Sequence, residues 1–129
     1  MTQTNAVSQV AQLIQQASQA QQHLESYNQT AVDELVTAVA WALVNPENNK
    51  MLSELAVAET GLGNVADKIT KNHRKTLGLL RDLKDAKTVG VIRRDPEQGI
   101  VEIARAVGVV GAIVPSTNPI ATPMNMILN

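Results

Sequence analysis

Residues 107–114 read VGVVGAIV, and Pro115 follows. A run this apolar, β-branched at most of its positions, lacks the polar positions that a half-exposed strand or an amphipathic helix needs, and it suits a strand covered on both faces in a parallel sheet. Gly108 and Gly111 then serve as packing positions for close strand approach, since no GxGxxG fingerprint is present. Pro115 ends the strand. Ser116, Thr117, Asn118 and Pro119 form a polar turn, and Thr122 and Pro123 with the apolar tail to Leu128 open a helix. Ligands in α/β proteins sit beyond the carboxyl ends of strands, so this strand–turn–helix junction is the place to look for a site.

Everything upstream of Thr88 has a helical period. In residues 1–29, rich in Gln and Ala, Val7, Val10, Ile14, Ala17 and Leu24 lie on one narrow stripe, which fits either a partner-binding or coiled-coil segment or a solvated first helix laid on the domain. Thr30 with Asp33 resembles a capping box and predicts the start of a second helix, whose face is Val32, Leu35, Val36, Val39 and Leu43, with Trp41 off that stripe. Asn45-Pro46 reads as an N-cap and first residue of a third helix that Gly61 stops, and Asn64 caps a fourth with Val65, Ile69, Thr76, Leu77 and Leu80 on its buried face. Lys71, His73, Arg74 and Lys75 form a short basic cluster there; without interleaved aromatics it is better read as a solvated helix face than as a nucleic-acid site, and His73 has no second ligand at metal spacing. From Thr88 the period changes. Residues 88–94 and 100–106 are β-branched and flank the turn Asp95-Pro96-Glu97-Gln98-Gly99, the pattern of a hairpin.

A chain of 129 residues suffices for one domain with its own core, and a net charge of −1 offers no electrostatic case for a nucleic-acid or membrane partner. No apolar run approaches the ~20 residues of a membrane helix, and the polar N-terminus lacks a signal-peptide layout, so the cytoplasm is the expected compartment.

Two stretches resemble the CoA-acylating branch of the aldehyde dehydrogenase superfamily. One is Pro115-Ser116-Thr117-Asn118-Pro119 after its strand; the other is Leu55-Ala56-Val57-Ala58-Glu59-Thr60-Gly61-Leu62-Gly63 followed by Asp67-Lys68-Ile69-Thr70-Lys71-Asn72-His73. The resemblance covers nearly the whole chain and is strongest from Leu52 onward. It implies an α/β fold of which this chain is the N-terminal part: helices over 1–86, a hairpin of the oligomerisation sheet over 87–106, and over 107–129 the first strand, turn and helix start of a Rossmann-like cofactor-binding domain, truncated before the rest.

The activity so implied is oxidation of a small aldehyde, of the sulfoacetaldehyde or acetaldehyde class, to acyl-CoA, with NAD or NADP as cofactor and coenzyme A as co-substrate. In that family a cysteine thiolate adds to the aldehyde, hydride leaves to the nicotinamide, and the thioester passes its acyl group to coenzyme A. This chain has no cysteine, so the isolated chain is expected to be inactive. Asn118, aimed by Pro115 and Pro119, is implied as the oxyanion donor, with Thr117 the alternative. Ile113, Val114, Pro115 and Ser116 are implied to pass along the adenosine half of the cofactor. No metal site is implied, and the full-length parent is expected to be a homo-oligomer. A different class of function also fits the sequence, a self-standing non-catalytic module of helices and hairpin for protein association.

Overall fold

The computed structural model describes residues 3–129, with side chains from residue 5. The expectation that helix begins at residue 1 falls outside the described residues. In order come α1 (Gln3–Leu24), α2 (Gln29–Val44), α3 (Pro46–Thr60), α4 (Val65–Leu83), β1 (Gly90–Asp95), β2 (Ile100–Ala104) and α5 (Ala121–Leu128). They divide into two compact units: the residues up to Val32 with Lys87–Gly111, and Asp33–Ala86 with Ala112–Asn129.

In the first unit, the stripe of α1 is solvent-exposed at Val7, Val10 and Ile14 and half-buried only toward Ala17 and Leu24. Strands β1 and β2 pair antiparallel with Asp95 opposite Ile100, and Asp95 Oδ1 accepts from Gln98 N at 3.0 Å inside the turn. A bulge at Ile92 shifts the register, so that Arg93 faces Glu102 and bonds it at 3.2 Å while also reaching Asp95 at 2.9 Å. The strands are shorter than residues 88–94 and 100–106 on their outer sides. At the entrance to β1 the backbone is held instead by a side chain: Gln29 Oε1 accepts from Thr88 N at 2.8 Å and Val89 N at 3.2 Å, and Gln29 Nε2 donates to Thr88 Oγ1 at 3.1 Å. The cap of α2 is Asn28, whose Oδ1 accepts from Ala31 N at 2.9 Å, rather than Thr30. An Asn carboxamide at that position reaches the first-turn amide directly, and the helix starts one residue before the Thr30 hydroxyl can act as its cap.

The second unit follows its sequence signals closely at the helix ends. Asn45 Oδ1 accepts from Glu47 N at 3.0 Å with Pro46 in the first turn, and Gly61 ends α3 in the left-handed region at φ 66°, where a Cβ would be strained. Asn64 caps α4 by accepting from Asp67 N at 2.9 Å and returns a bond from Nδ2 to Asp67 Oδ2 at 2.6 Å. The interior departs from expectation. Ala40, Leu43, Ala56 and Leu128 are its buried apolar residues, while the facing stripes of α3 and α4 are Asn49, Ser53 and Ala56 against Lys68, Asn72 and Thr76. Leu77, expected inside, is exposed. The stripe at 68, 72 and 76 runs four residues apart, so it faces α3 as one row, and Leu77 lies about 100° off it.

Residues 107–114 form no ladder among the described residues, and Val107 and Ile113 are almost fully exposed, at 89% and 93%. A strand of a parallel sheet acquires its state only from neighbours on both sides, and none of the described residues provides one.

Candidate functional site

Asn118 N donates to Pro115 O at 3.0 Å, which closes the predicted turn, and Asn118 O in turn accepts from Thr122 N at 3.4 Å as α5 begins. The turn is therefore closed on itself and tied at its far end to α5, with the two prolines limiting φ at each side. Helix α5 packs on α4. Across that contact Lys71 Nζ donates to Asn118 Oδ1 at 2.6 Å and to Thr117 O at 3.4 Å.

What aims Lys71 is the row of buried polar groups one residue further along α4. Asn72 Nδ2 donates to Asn49 Oδ1 at 3.0 Å and to Ser53 Oγ at 3.2 Å; Ser53 Oγ donates to Asn49 Oδ1 at 3.4 Å, and Asn49 Nδ2 donates to Ile69 O at 3.0 Å. These bonds fix the rotation of α4 about its axis, because turning the helix would strand polar atoms away from both water and partners. With Asn72 locked onto α3, Lys71 stands about 100° round the helix, on the side where the turn sits.

Burial lowers the pKa of Lys71 below the usual lysine value, helped by the like charges of Lys68 and Lys75. Asp67, one turn back, does not neutralise it, because its carboxylate is engaged by Asn64 at the helix start. Lys71 also lines an open hollow of about 1020 Å³ whose wall includes Arg74, Lys75, Arg81, Leu77 and, from α5, Asn125.

Among the residues singled out from sequence, Asn118 is half-buried against Lys71, whereas Ile113, Val114, Pro115, Ser116 and Thr117 are exposed and carry no side-chain hydrogen bond among those described. Lys71 itself belongs to the cluster expected to be a solvated face; the structure moves it out of that group and onto the turn. Its signal in sequence was membership in the Asp67–His73 segment, since nothing in its charge or helical position marks it as different from Lys75. Among the described residues no three His, Asp or Glu side chains gather as a metal site, and no helix is long and apolar enough to cross a membrane.

The backbone that carries these helices, the hairpin and the turn is closely similar to that of two solved aldehyde dehydrogenases. The chain superposes with a TM-score of 0.90 at 40% identity on an acetylating aldehyde dehydrogenase from Geobacillus thermoglucosidasius, and of 0.91 at 34% identity on a probable aldehyde dehydrogenase from Listeria monocytogenes. In each case 97% of this chain and 27% of the other is covered. Over nearly its whole length the chain is therefore homologous to acylating aldehyde dehydrogenases, of which it matches a fragment. Within them it is 60% identical over 120 residues to acylating sulfoacetaldehyde dehydrogenase of Cupriavidus necator and 46% identical over 113 residues to that of Bilophila wadsworthia. It is also 42% identical over 121 residues to an acetylating succinate-semialdehyde dehydrogenase of Clostridium kluyveri. These matches take in 93%, 88% and 94% of this chain, which spans about a quarter of each relative (24%, 24% and 26%). No family model matches it.

Proposed function

We propose that this chain supplies the N-terminal quarter of an NAD(P)-dependent, CoA-acylating aldehyde dehydrogenase that converts a short aldehyde, of the sulfoacetaldehyde or acetaldehyde class, to its acyl-CoA. The observation that carries the proposal is the bond from Lys71 to Asn118, which joins 47 residues apart the two segments that resemble the acylating enzymes. Sulfoacetaldehyde is favoured as substrate by the 60% identity to the Cupriavidus necator enzyme.

Asn118 is the oxyanion donor in this proposal. A carboxamide on a closed turn joined to α5 and held by Lys71 meets developing charge without reorganising, which is what makes such a donor effective. Thr117 is the alternative, but its hydroxyl stands on the exposed side of the turn without a partner among the described residues, and Lys71 holds only its carbonyl. Ile113, Val114, Pro115 and Ser116 fit the adenosine half of NAD or NADP as a surface: they are exposed, apolar or small, and offer backbone and shape with no charge for the phosphates. When bound, the nicotinamide supplies the hydride acceptor. The thiolate that the chemistry requires is absent from this chain, as is any other nucleophilic thiol.

Residues 87–106 serve in subunit association of a cytoplasmic homo-oligomer, and 107–129 open the cofactor-binding domain. The exposed Val91, Ile100, Val101 and Ile103 support the first assignment. The same side chains would serve a stand-alone association module, and catalysis separates the two ideas. In an acylating dehydrogenase carrying this sequence, Asn118→Ala is expected to lower kcat by ~10²–10³ with the KM for cofactor little changed. An unchanged kcat would transfer the role to Thr117, and acyl-CoA formation by the purified 129-residue chain above a no-protein control would overturn the reading that this chain supplies only part of the enzyme and lacks its thiolate.

A further inference from the structure

The two prolines fix the backbone of the turn but leave the end of the Asn118 side chain undetermined. The terminal torsion of asparagine is broad and nearly two-fold, so an unconstrained carboxamide can present either its oxygen or its nitrogen in a given direction. Only one of these orientations suits an anion. An oxygen aimed at a developing oxyanion repels it, and a nitrogen donates to it.

We propose that Lys71 is the positioning residue that selects the donor orientation: its ammonium takes up Oδ1 of Asn118 and turns Nδ2 toward the reacting centre. The proposal rests on Asn118 being the oxyanion donor. Lysine has donors and no acceptor, so with Nζ 2.6 Å from the carboxamide the facing atom must be the oxygen; the flipped rotamer would set two donors head to head. The second bond, from Nζ to Thr117 O at 3.4 Å, ties the preceding peptide to the same group, so the side chain and its backbone are held by one atom. Nδ2 is left without a protein acceptor among the described residues. No ion pair competes for Nζ there either, since Asp67 is taken by Asn64.

Donation into Oδ1 has a further effect. It draws electron density along the amide and makes the N–H groups better donors, the cooperative strengthening seen in chains of hydrogen bonds. Lys71 thus acts on the anion through Asn118, without touching it. Its own direction is set by the Asn72–Asn49–Ser53 bonds, which places a three-layer support beneath the donor: α3, then α4, then the turn.

The test uses Lys71→Met, of similar length but with no donor, and Lys71→Arg, which keeps one. In the 129-residue chain, labelled with ¹⁵N, the side-chain amide resonance of Asn118 is expected to move in Lys71→Met and to stay near its original position in Lys71→Arg, with circular dichroism confirming that both fold. In an acylating dehydrogenase carrying the same sequence, Lys71→Met is expected to lower kcat roughly tenfold to a hundredfold, the range found when an orienting outer partner is removed, at a nearly constant KM for aldehyde, and Lys71→Arg to recover most of it. An Asn118 resonance indifferent to Lys71→Met overturns the proposal whatever the rate does, and so does a moved resonance with an unchanged kcat. If Asn118→Ala abolishes turnover while Lys71→Met leaves it intact, the oxyanion donor stands and the positioning role falls; if Asn118→Ala is without effect, it is the donor assignment that has failed.

Discussion

The α3–α4 seam and the β1–β2 hairpin with residues 107–114 treat polarity in opposite ways. Along the seam, groups that usually face water are buried: Ser53 at 0% exposure and Asn72 at 1%. In the hairpin and the run after it, Ile103, Val107, Val110 and Ile113, which usually lie inside, are exposed. The seam is tolerable because each amide and hydroxyl of Asn49, Ser53 and Asn72 meets another, so desolvation is offset by bonds formed in a low-dielectric place. The hairpin is tolerable for a different reason, since its backbone is paired and Arg93, Asp95 and Glu102 keep it charged. The bonds of Asn49, Ser53 and Asn72 close within this chain, and only Thr76 Oγ1 of the described row is buried without a partner. The exposed strands and the run beside them have the composition of surfaces that other segments cover. Hidden polarity therefore marks where this sequence specifies its own partner, and open apolarity marks where it does not.

The largest test of that contrast is amide hydrogen exchange. Amides around Asn72 open only with the unit, while those of Val109 and Val110 have no ladder to open, so protection should differ by ~10³-fold or more. Equal protection in a monomeric sample would erase the distinction. A second experiment attacks the seam itself: Asn72→Leu leaves Asn49 Oδ1 and Ser53 Oγ short of a donor in a buried place and should cost ~2–3 kcal/mol in urea unfolding. A loss below ~0.5 kcal/mol would mean that water reaches the seam and that its polarity is incidental.

On the other side of the comparison, Ile103→Lys replaces an exposed apolar side chain and should alter stability by no more than ~0.5 kcal/mol while reducing self-association in sedimentation. A large loss of stability would show that Ile103 is already part of a core. The smallest effect is the titration of Lys71. Its folded pKa lies below the ordinary 10.5, so the folded state releases the proton first, and the cost of holding the ammonium is present at all lower pH. Stability should rise as pH climbs from that depressed pKa to 10.5, and the rise should be missing in Lys71→Met; identical pH profiles for the two proteins would remove the cause assigned to it.

Much of this was legible in the sequence, for reasons that differ from place to place. Asn45-Pro46, Gly61 and Asn64 announced the ends of α3 and α4 because capping depends on a few adjacent atoms. The turn at 115–119 was readable from its prolines and the helix after it from Thr122 and Pro123. The buried row of α4 was not, because a rule that sends apolar residues inward selects Leu77 and passes over Lys68 and Asn72, whose burial depends on bonds to α3. Residues 107–114 were read as a buried strand from composition, and composition cannot say whether neighbouring strands are present in the same chain. Lys71 was invisible as an individual for the same reason: the property that separates it from Lys75 is an acceptor 47 residues further on.

The carboxamide of Gln29 that gathers the amides of Thr88 and Val89 sets a clock on the molecule. Its partners lie 59 and 60 residues later, so on a ribosome adding ~5–20 residues per second Gln29 is made several seconds before anything exists for it to hold. The bonds of the α3–α4 seam join residues only 19 to 23 apart and can close inside that interval. Through the wait, the start of α2 confronts the cell without the segment its Gln29 later holds, so that end of the helix, and not the finished hairpin, is what a holding chaperone would meet first.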